Sequence, residues 1–164
     1  MDIVKIRDVK TPERGTPLSA GLDFFIPNDI VWGRDCAGDF TVVEYTEDDK
    51  CARLYSGESI TIPAGIVVRV PQGKALVFFN KSGVASKKRL QVGACVIDED
   101  YQGEVHINLH NVGLAAVYLR RNEKIVQGLL LNVSYDEVKE CSSKTELFPE
   151  ISERGTGGFG STNK

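Results

Sequence analysis

Three stretches combine residue types that could do chemistry. RGTGGFGST, residues 154 to 162, stands two residues from the end of the chain and sets one arginine and one phenylalanine among four glycines and three hydroxyl side chains. Glycines such as Gly157 and Gly158 free the backbone to wrap oxygen-rich groups with N–H donors. Arg154 supplies a fork for phosphate, and Phe159 a flat face for a base. The segment lacks the Gly-Lys-Ser/Thr ending of a P-loop, and a flexible glycine-rich tail is the competing reading. In FNKSGVASKKR, 79 to 89, Ser82 and Gly83 could open a short helix with free N–H groups, while Lys81, Lys87, Lys88 and Arg89 add positive charge. Such a place would welcome an anion, or be a capped helix with a solvated basic face. In DEDYQG, 98 to 103, Asp98 follows Ile97 and lies near Tyr101. Partial desolvation there would suit it to general-base work, whereas a solvated turn of Asp98, Glu99 and Asp100 accounts for the same residues.

Short strands must carry these groups. ESITI, GIVVRV, KALVFF, EVHINL, AAVYL and KIVQGLLLNV alternate with a period near two, are rich in valine and isoleucine, and are parted by turn residues. The pattern predicts an all-β, jelly-roll-like domain with one short helix at SGVASKKR. VGACVIDEDYQGEVHINLHN, 92 to 111, reads as a β-hairpin reversing at DEDYQG. Two regions depart from the pattern. Residues 29 to 58 carry eight acidic side chains against three basic ones, with Trp32, Phe40 and Tyr45 among them. These predict an ordered acidic flap, with TVVEY as a hairpin arm and Trp32 as its anchor, kept away from Lys81 to Arg89. From Tyr135 apolar periodicity stops, dividing the chain into a β-domain over 1–134 and an arm over 135–164.

A chain of 164 residues buries enough surface for one core without staples. A net charge of −3 argues against a nucleic-acid coat, and 41% hydrophobic residues argue against disorder. Cys36, Cys51, Cys95 and Cys141 are widely spaced and read as reduced thiols. The N-terminus lacks an apolar signal core and no run suits a membrane span, so a soluble cytoplasmic protein is expected. His106, Asn108 and His110 share one strand face and read as polar surface or interface positions.

Taken in order, SAGLDFF (19 to 25), NKSGVASK (80 to 87), GACVIDEDYQGE (93 to 104), EKIVQ (123 to 127) and RGTGGFGST form a set. With it the chain resembles the trimeric deoxyuridine triphosphate nucleotidohydrolases, the dUTPases. The resemblance implies Mg²⁺-dependent hydrolysis of dUTP to dUMP and pyrophosphate by a homotrimer, limiting uracil in DNA and supplying dUMP for dTMP synthesis. Asp98 aligns with the aspartate that activates the attacking water, and Tyr101 with the tyrosine whose ring excludes a 2′-hydroxyl. Main-chain groups between Val92 and Ile97, Ala94 included, would read uracil. Lys81, Ser82, Gly83 and Gln127 would bind the phosphate chain, and Arg154, Gly157, Gly158 and Phe159 would close over a neighbouring subunit's site. Mg²⁺ would be held by the triphosphate and water, leaving Asp23 a supporting carboxylate rather than a ligand.

Lys81 stands where the family usually has arginine, which keeps the charge but loses the planar fork and puts phosphate binding, or the partner of Asp23, in question. The acidic stretch has no fixed role in the family and could bind a protein partner. Two other readings are a dCTP deaminase or bifunctional deaminase of related fold, with Glu104 as the nearest candidate base, and a regulatory protein acting through that stretch.

Overall fold

The computed structural model describes residues 1–30, 44–46 and 51–158. Among these, every strand pairing is antiparallel, as the all-β reading requires. One sheet orders β1 (Asp2–Lys5), β5 (Ser59–Arg69), β9 (Glu104–Asn111) and β7 (Leu90–Val92). A second orders β2 (Leu22–Phe25), β11 (Lys124–Asn132), β6 (Lys74–Asn80) and β8 (Val96–Ile97). A third joins β10 (Val117–Arg120), β4 (Cys51–Leu54) and β3 (Glu44–Thr46). The expected helix is a single π-type turn, Val84–Lys88. No helix of the described residues is long and apolar enough to cross a membrane.

Alternation builds the core. Along β9, Val105, Ile107 and Leu109 turn inward while His106 and His110 face out. ESITI and GIVVRV prove to be one strand, β5, whose register with β9 shifts between Pro63 and Val67. Proline cannot donate to a ladder, so an irregularity at Pro63 is where it is tolerated. Phe24 on β2 and Phe78 on β6, both in the second sheet and both buried, meet edge to face at 4.8 Å. Asn111, the buried polar residue at the end of β9, gives its amide to the Leu54 and Ala115 carbonyls at 3.0 and 2.9 Å, tying β4 to the turn before β10.

The hairpin expected over 92 to 111 is corrected. The chain reverses at the predicted turn, but β8 pairs with β6, through Leu76↔Ile97 and Val77↔Val96. β9 pairs instead with β7, three residues earlier. The two arms therefore belong to different sheets, because Ile97 is apolar and is buried beside β6.

Part of the acidic stretch is ordered: β3 pairs with β4 through Glu44↔Arg53 and Thr46↔Cys51. Trp32, Phe40 and most of the predicted flap lie outside the described residues. The expected separation of the flap from Lys81 to Arg89 concerns residues that lie mostly outside the described ones. β4 pairs with β10, and the Tyr118 carbonyl on β10 accepts from Lys88 Nζ at 2.9 Å. Among the described cysteines, Cys95 and Cys141 are free thiols.

Residues 134–164 form a unit separate from 1–133. It holds a short helix, Lys144–Leu147, whose Ser143 hydroxyl accepts from the Glu146 N–H at 3.1 Å. Val138, Phe148 and Ile151 are exposed there.

Candidate active site

One sheet gathers four of the five motifs. β2 carries SAGLDFF, β11 carries EKIVQ, β6 runs into NKSG, and β8 carries the strand before Asp98. Gln127 stands opposite Asp23, and Val126 opposite Asn80. Gln127 donates to the Asn80 carbonyl at 2.9 Å. Gly21 is needed for this approach, since a Cβ there would fall 2.8 Å from Gln127 Oε1.

Asp23 is buried at 6% exposure and is hydrogen-bonded by Lys81 on one oxygen and by Lys124 Nζ on the other at 3.1 Å. Burial pushes its pKa up, but the hydrogen bonds and charges of Lys81 and Lys124 outweigh this and hold it below the ordinary carboxylate value. The lysine in place of arginine thus keeps Asp23 as its partner, and Lys124 supplies a second cation that motif reading overlooked. Its position inside EKIVQ was the available signal. Both Asp23 oxygens are occupied, so this carboxylate does not fit a metal.

The splayed reversal opens a cavity of about 200 Å³ lined by Ala94, Cys95, Val96, Ile97, Asp98, Tyr101 and His106. The floor is fixed by side chains from neighbouring strands. Asn80 Oδ1 accepts from the Val92 N–H at 2.8 Å and Asn108 Oδ1 from the Ala94 N–H at 3.2 Å. Gly93 permits the second contact, because a Cβ there would lie 1.9 Å from Asn108 Oδ1. Those two N–H groups are therefore spent inside the chain, and the Cys95 carbonyl accepts from the Phe78 N–H at 2.8 Å. Asp98 and Tyr101 close a tight turn, with the Tyr101 N–H 3.3 Å from the Asp98 carbonyl. The Asp98 carboxylate is exposed and has no hydrogen-bond partner among the described residues. The desolvation expected of it is thus not supplied by its own chain.

Glu104 is unsuited to act as a base. Its oxygens take Arg7 Nε at 2.7 Å, Arg7 Nη2 at 3.0 Å and the Gly65 N–H at 2.9 Å. The Arg7 hydrogen bond, with lesser help from Gly65, holds its carboxyl below the ordinary value despite burial.

Ser82 and Gly83 are exposed at the mouth of the π-type turn. Gly83 has φ −66°, and a Cβ there would meet nothing within 4 Å, so nothing in the chain's own packing requires glycine. The same open space surrounds Gly158. In the tail, Arg154 Nε donates to the Gly157 carbonyl at 2.9 Å and the Gly157 N–H returns to the Arg154 carbonyl at 3.0 Å. Phe159 lies outside the described residues.

The structure does not bring Asp98 and Ser82 together in one chain. Asp98 follows Ile97, which faces Leu76, and continues away from Asn80, beyond which Ser82 lies. Leu76 and Asn80 alone are roughly 13 Å apart at about 3.3 Å per strand residue.

The fold and this paired arrangement are those of a nucleotide-hydrolysing β-protein family. The family model described as dUTPase matches residues 45–163, and the chain belongs to the dUTPase family. It is 32% identical to the deoxyuridine 5′-triphosphate nucleotidohydrolase of Mus musculus, over 93% of this chain and 78% of the mouse protein. Its fold is similar to that of the Staphylococcus bacteriophage 80alpha dUTPase with dUpNHpp, at TM-score 0.75 and 22% identity, over 98% of this chain and 96% of the phage chain. It is also similar to a mutant dUTPase from phage phi11 of S. aureus that coordinates a structural Mg(II) ion. That match has TM-score 0.67 and 18% identity, over 87% of this chain and 96% of the other.

Proposed function

We infer that this chain is a dUTP diphosphatase that cleaves dUTP to dUMP and pyrophosphate. The observation that carries this reading is the cavity opened where β8 leaves β9 for β6, with the unpaired Asp98 carboxylate and the Tyr101 ring on its wall. Asp98 orients and deprotonates a water for attack on the α-phosphorus. Tyr101 lies against the deoxyribose and leaves no space for a 2′-hydroxyl. Uracil is read by main-chain groups of the Val92 to Ile97 stretch, where β-ladder contacts hold donors and acceptors rigid. Since the Val92 and Ala94 N–H groups are already bonded, the work falls to the remaining groups there, including the Cys95 N–H.

Ser82, Gly83 and Gln127, with Lys81 positioned by Asp23, receive the phosphate chain. The open space at Gly83 and Gly158 supports a close approach by an outside group. Substrate is the magnesium complex of dUTP, and Asp23 engages two lysines rather than the cation. The cation offsets charge on the leaving pyrophosphate.

The site is assembled between subunits of a homotrimer. The distance along β6 between Asp98 and Ser82 supports this, as one chain presents the two groups at opposite ends of a strand. The arm of residues 135–164 crosses to a neighbour and closes with Arg154 on phosphate and Phe159 on the base. Exposed Val138 and Ile151 in that arm, 100% and 92% accessible, are apolar groups that such docking would cover. From Tyr135 to Arg154 it can extend about 60 Å. Closure supplies the water-poor surroundings Asp98 lacks in its own chain. The reaction is set in the cytoplasm, and the acidic side chains of the 29–58 stretch would suit a protein partner.

The test is pyrophosphate release from dUTP, dCTP, dTTP and UTP with Mg²⁺, alongside ammonia release from dCTP. Release from dUTP alone supports the reading. Ammonia from dCTP would replace it with a deaminase, and no turnover of any nucleotide would leave the partner-binding role.

A further inference from the structure

The Glu104 backbone carbonyl accepts two hydrogen bonds at once. The Tyr101 hydroxyl donates to it at 2.8 Å, and His106 Nδ1 lies 2.8 Å from the same oxygen. A carbonyl oxygen only accepts, so Nδ1 carries a proton and donates it. The carbonyl itself is anchored, because the Glu104 side chain is clamped by Arg7 and by the Gly65 N–H. Gly103 lets the Tyr101 ring lie close over the backbone: a Cβ there would fall 2.5 Å from the phenolic oxygen and 2.7 Å from Cζ. His106, Tyr101 and Asp98 all line the same cavity.

We propose that His106 is a positioning residue that sets how sharply this site selects 2′-deoxyribose, acting through Tyr101. A carbonyl has two lone-pair directions, and donors prefer to lie near one or the other. With His106 on one, the Tyr101 hydroxyl is confined to the second, and the ring is held in a single orientation over Gly103. Without the imidazole donor, the hydroxyl can use either direction and the ring can swing. A ring that swings makes room for a 2′-hydroxyl. The inference rests on the dUTPase reading and adds to it the residue that governs its sugar choice.

The experiment is kcat/KM for dUTP and for UTP in the unaltered protein, His106→Leu, His106→Asn and Tyr101→Phe, with His106→Phe, which also lacks a donor, in reserve if the leucine variant does not fold. His106→Leu is expected to lower the dUTP-to-UTP ratio roughly tenfold, the scale of one hydrogen bond. His106→Asn, which can offer a donor near the same place, should stay within about twofold. In the Tyr101→Phe background, His106→Leu should change the ratio no further, since the hydroxyl it acts through is gone. An unchanged ratio in folded His106→Leu, or equal losses on both nucleotides, overturns the proposal while leaving the dUTPase reading intact. If the unaltered protein turns over neither nucleotide, the dUTPase reading fails. Calorimetric binding of dUMP against UMP then decides the sugar-selection claim, and failure to bind either ends it.

Discussion

Lys124 and Gln127, three residues apart on β11, stand opposite Phe25 and Asp23, which are two apart on β2. Phe25 and Asp23 share a face, so their partners do too, and three residues can do this only because β11 carries an irregularity between Lys124 and Val126. The bulge aims Lys124 diagonally at Asp23 while Gln127 turns toward Asn80. A charge clamp and the Gln127 amide are set side by side by one extra residue.

Breaking the clamp should cost stability in proportion to burial. Asp23→Asn leaves Lys81 and Lys124 facing a neutral group and should destabilise the domain by about 1–3 kcal/mol, read as a lower urea midpoint. Lys124→Met should lower the urea midpoint less than Asp23→Asn does, because this ammonium is largely screened by solvent. A larger loss from the lysine than from the aspartate would contradict the arrangement.

Acid should act through the same pairs. Asp23 and Glu104 are held below their ordinary values of 3.8 and 4.5, so the unfolded chain takes up protons before the folded one. Their contribution is complete above those ordinary values and is lost as pH falls through the lower folded ones. Urea midpoints should show no loss from these two groups between neutral pH and about pH 5, with their contribution declining below about pH 4. Asp23→Asn should flatten that decline.

Two glycines should respond oppositely to alanine. Gly93→Ala drives a methyl into Asn108 and should destabilise the fold by about 1–3 kcal/mol, as overpacking does. Gly83→Ala meets nothing in the chain and should leave thermal unfolding within a degree or two, yet weaken nucleotide binding measured by calorimetry.

The proposed sharing of the site between subunits predicts complementation. Asp98→Asn alone should lower dUTP turnover by about 10²–10⁴-fold, as loss of a general base does. Ser82→Ala combined with Arg154→Ala should also be inactive. Unfolding and refolding the two variants together at equal amounts should restore about a quarter of the sites if Ser82 and Arg154 come from the same neighbour and about an eighth if they come from two, since each site needs an intact Asp98 from one chain and intact phosphate groups from the other or others. No recovery would place the whole site in one chain and remove the trimer argument. Removal of the arm after Pro149 should abolish turnover of dUTP, and full activity without it would exclude the lid.

Much of this molecule is written in local order. The period-two runs of KALVFF, EVHINL and KIVQGLLLNV became β6, β9 and β11 because alternation along a strand depends only on which neighbours are apolar. The motif residues could likewise be picked out from type and spacing, Asp98 and Tyr101 by the turn between strands and Arg154 by its glycines. What local order could not convey was which strands would pair. Whether Val96–Ile97 joins β9 or β6 depends on the core beside Leu76, far away in sequence, and that choice opened the cavity. Lys124 reached Asp23 through a bulge whose effect appears only once the sheets are packed. Alternation is a property of one strand, whereas pairing partners and the contacts that complete a site are set by long-range burial, which no stretch of sequence contains by itself.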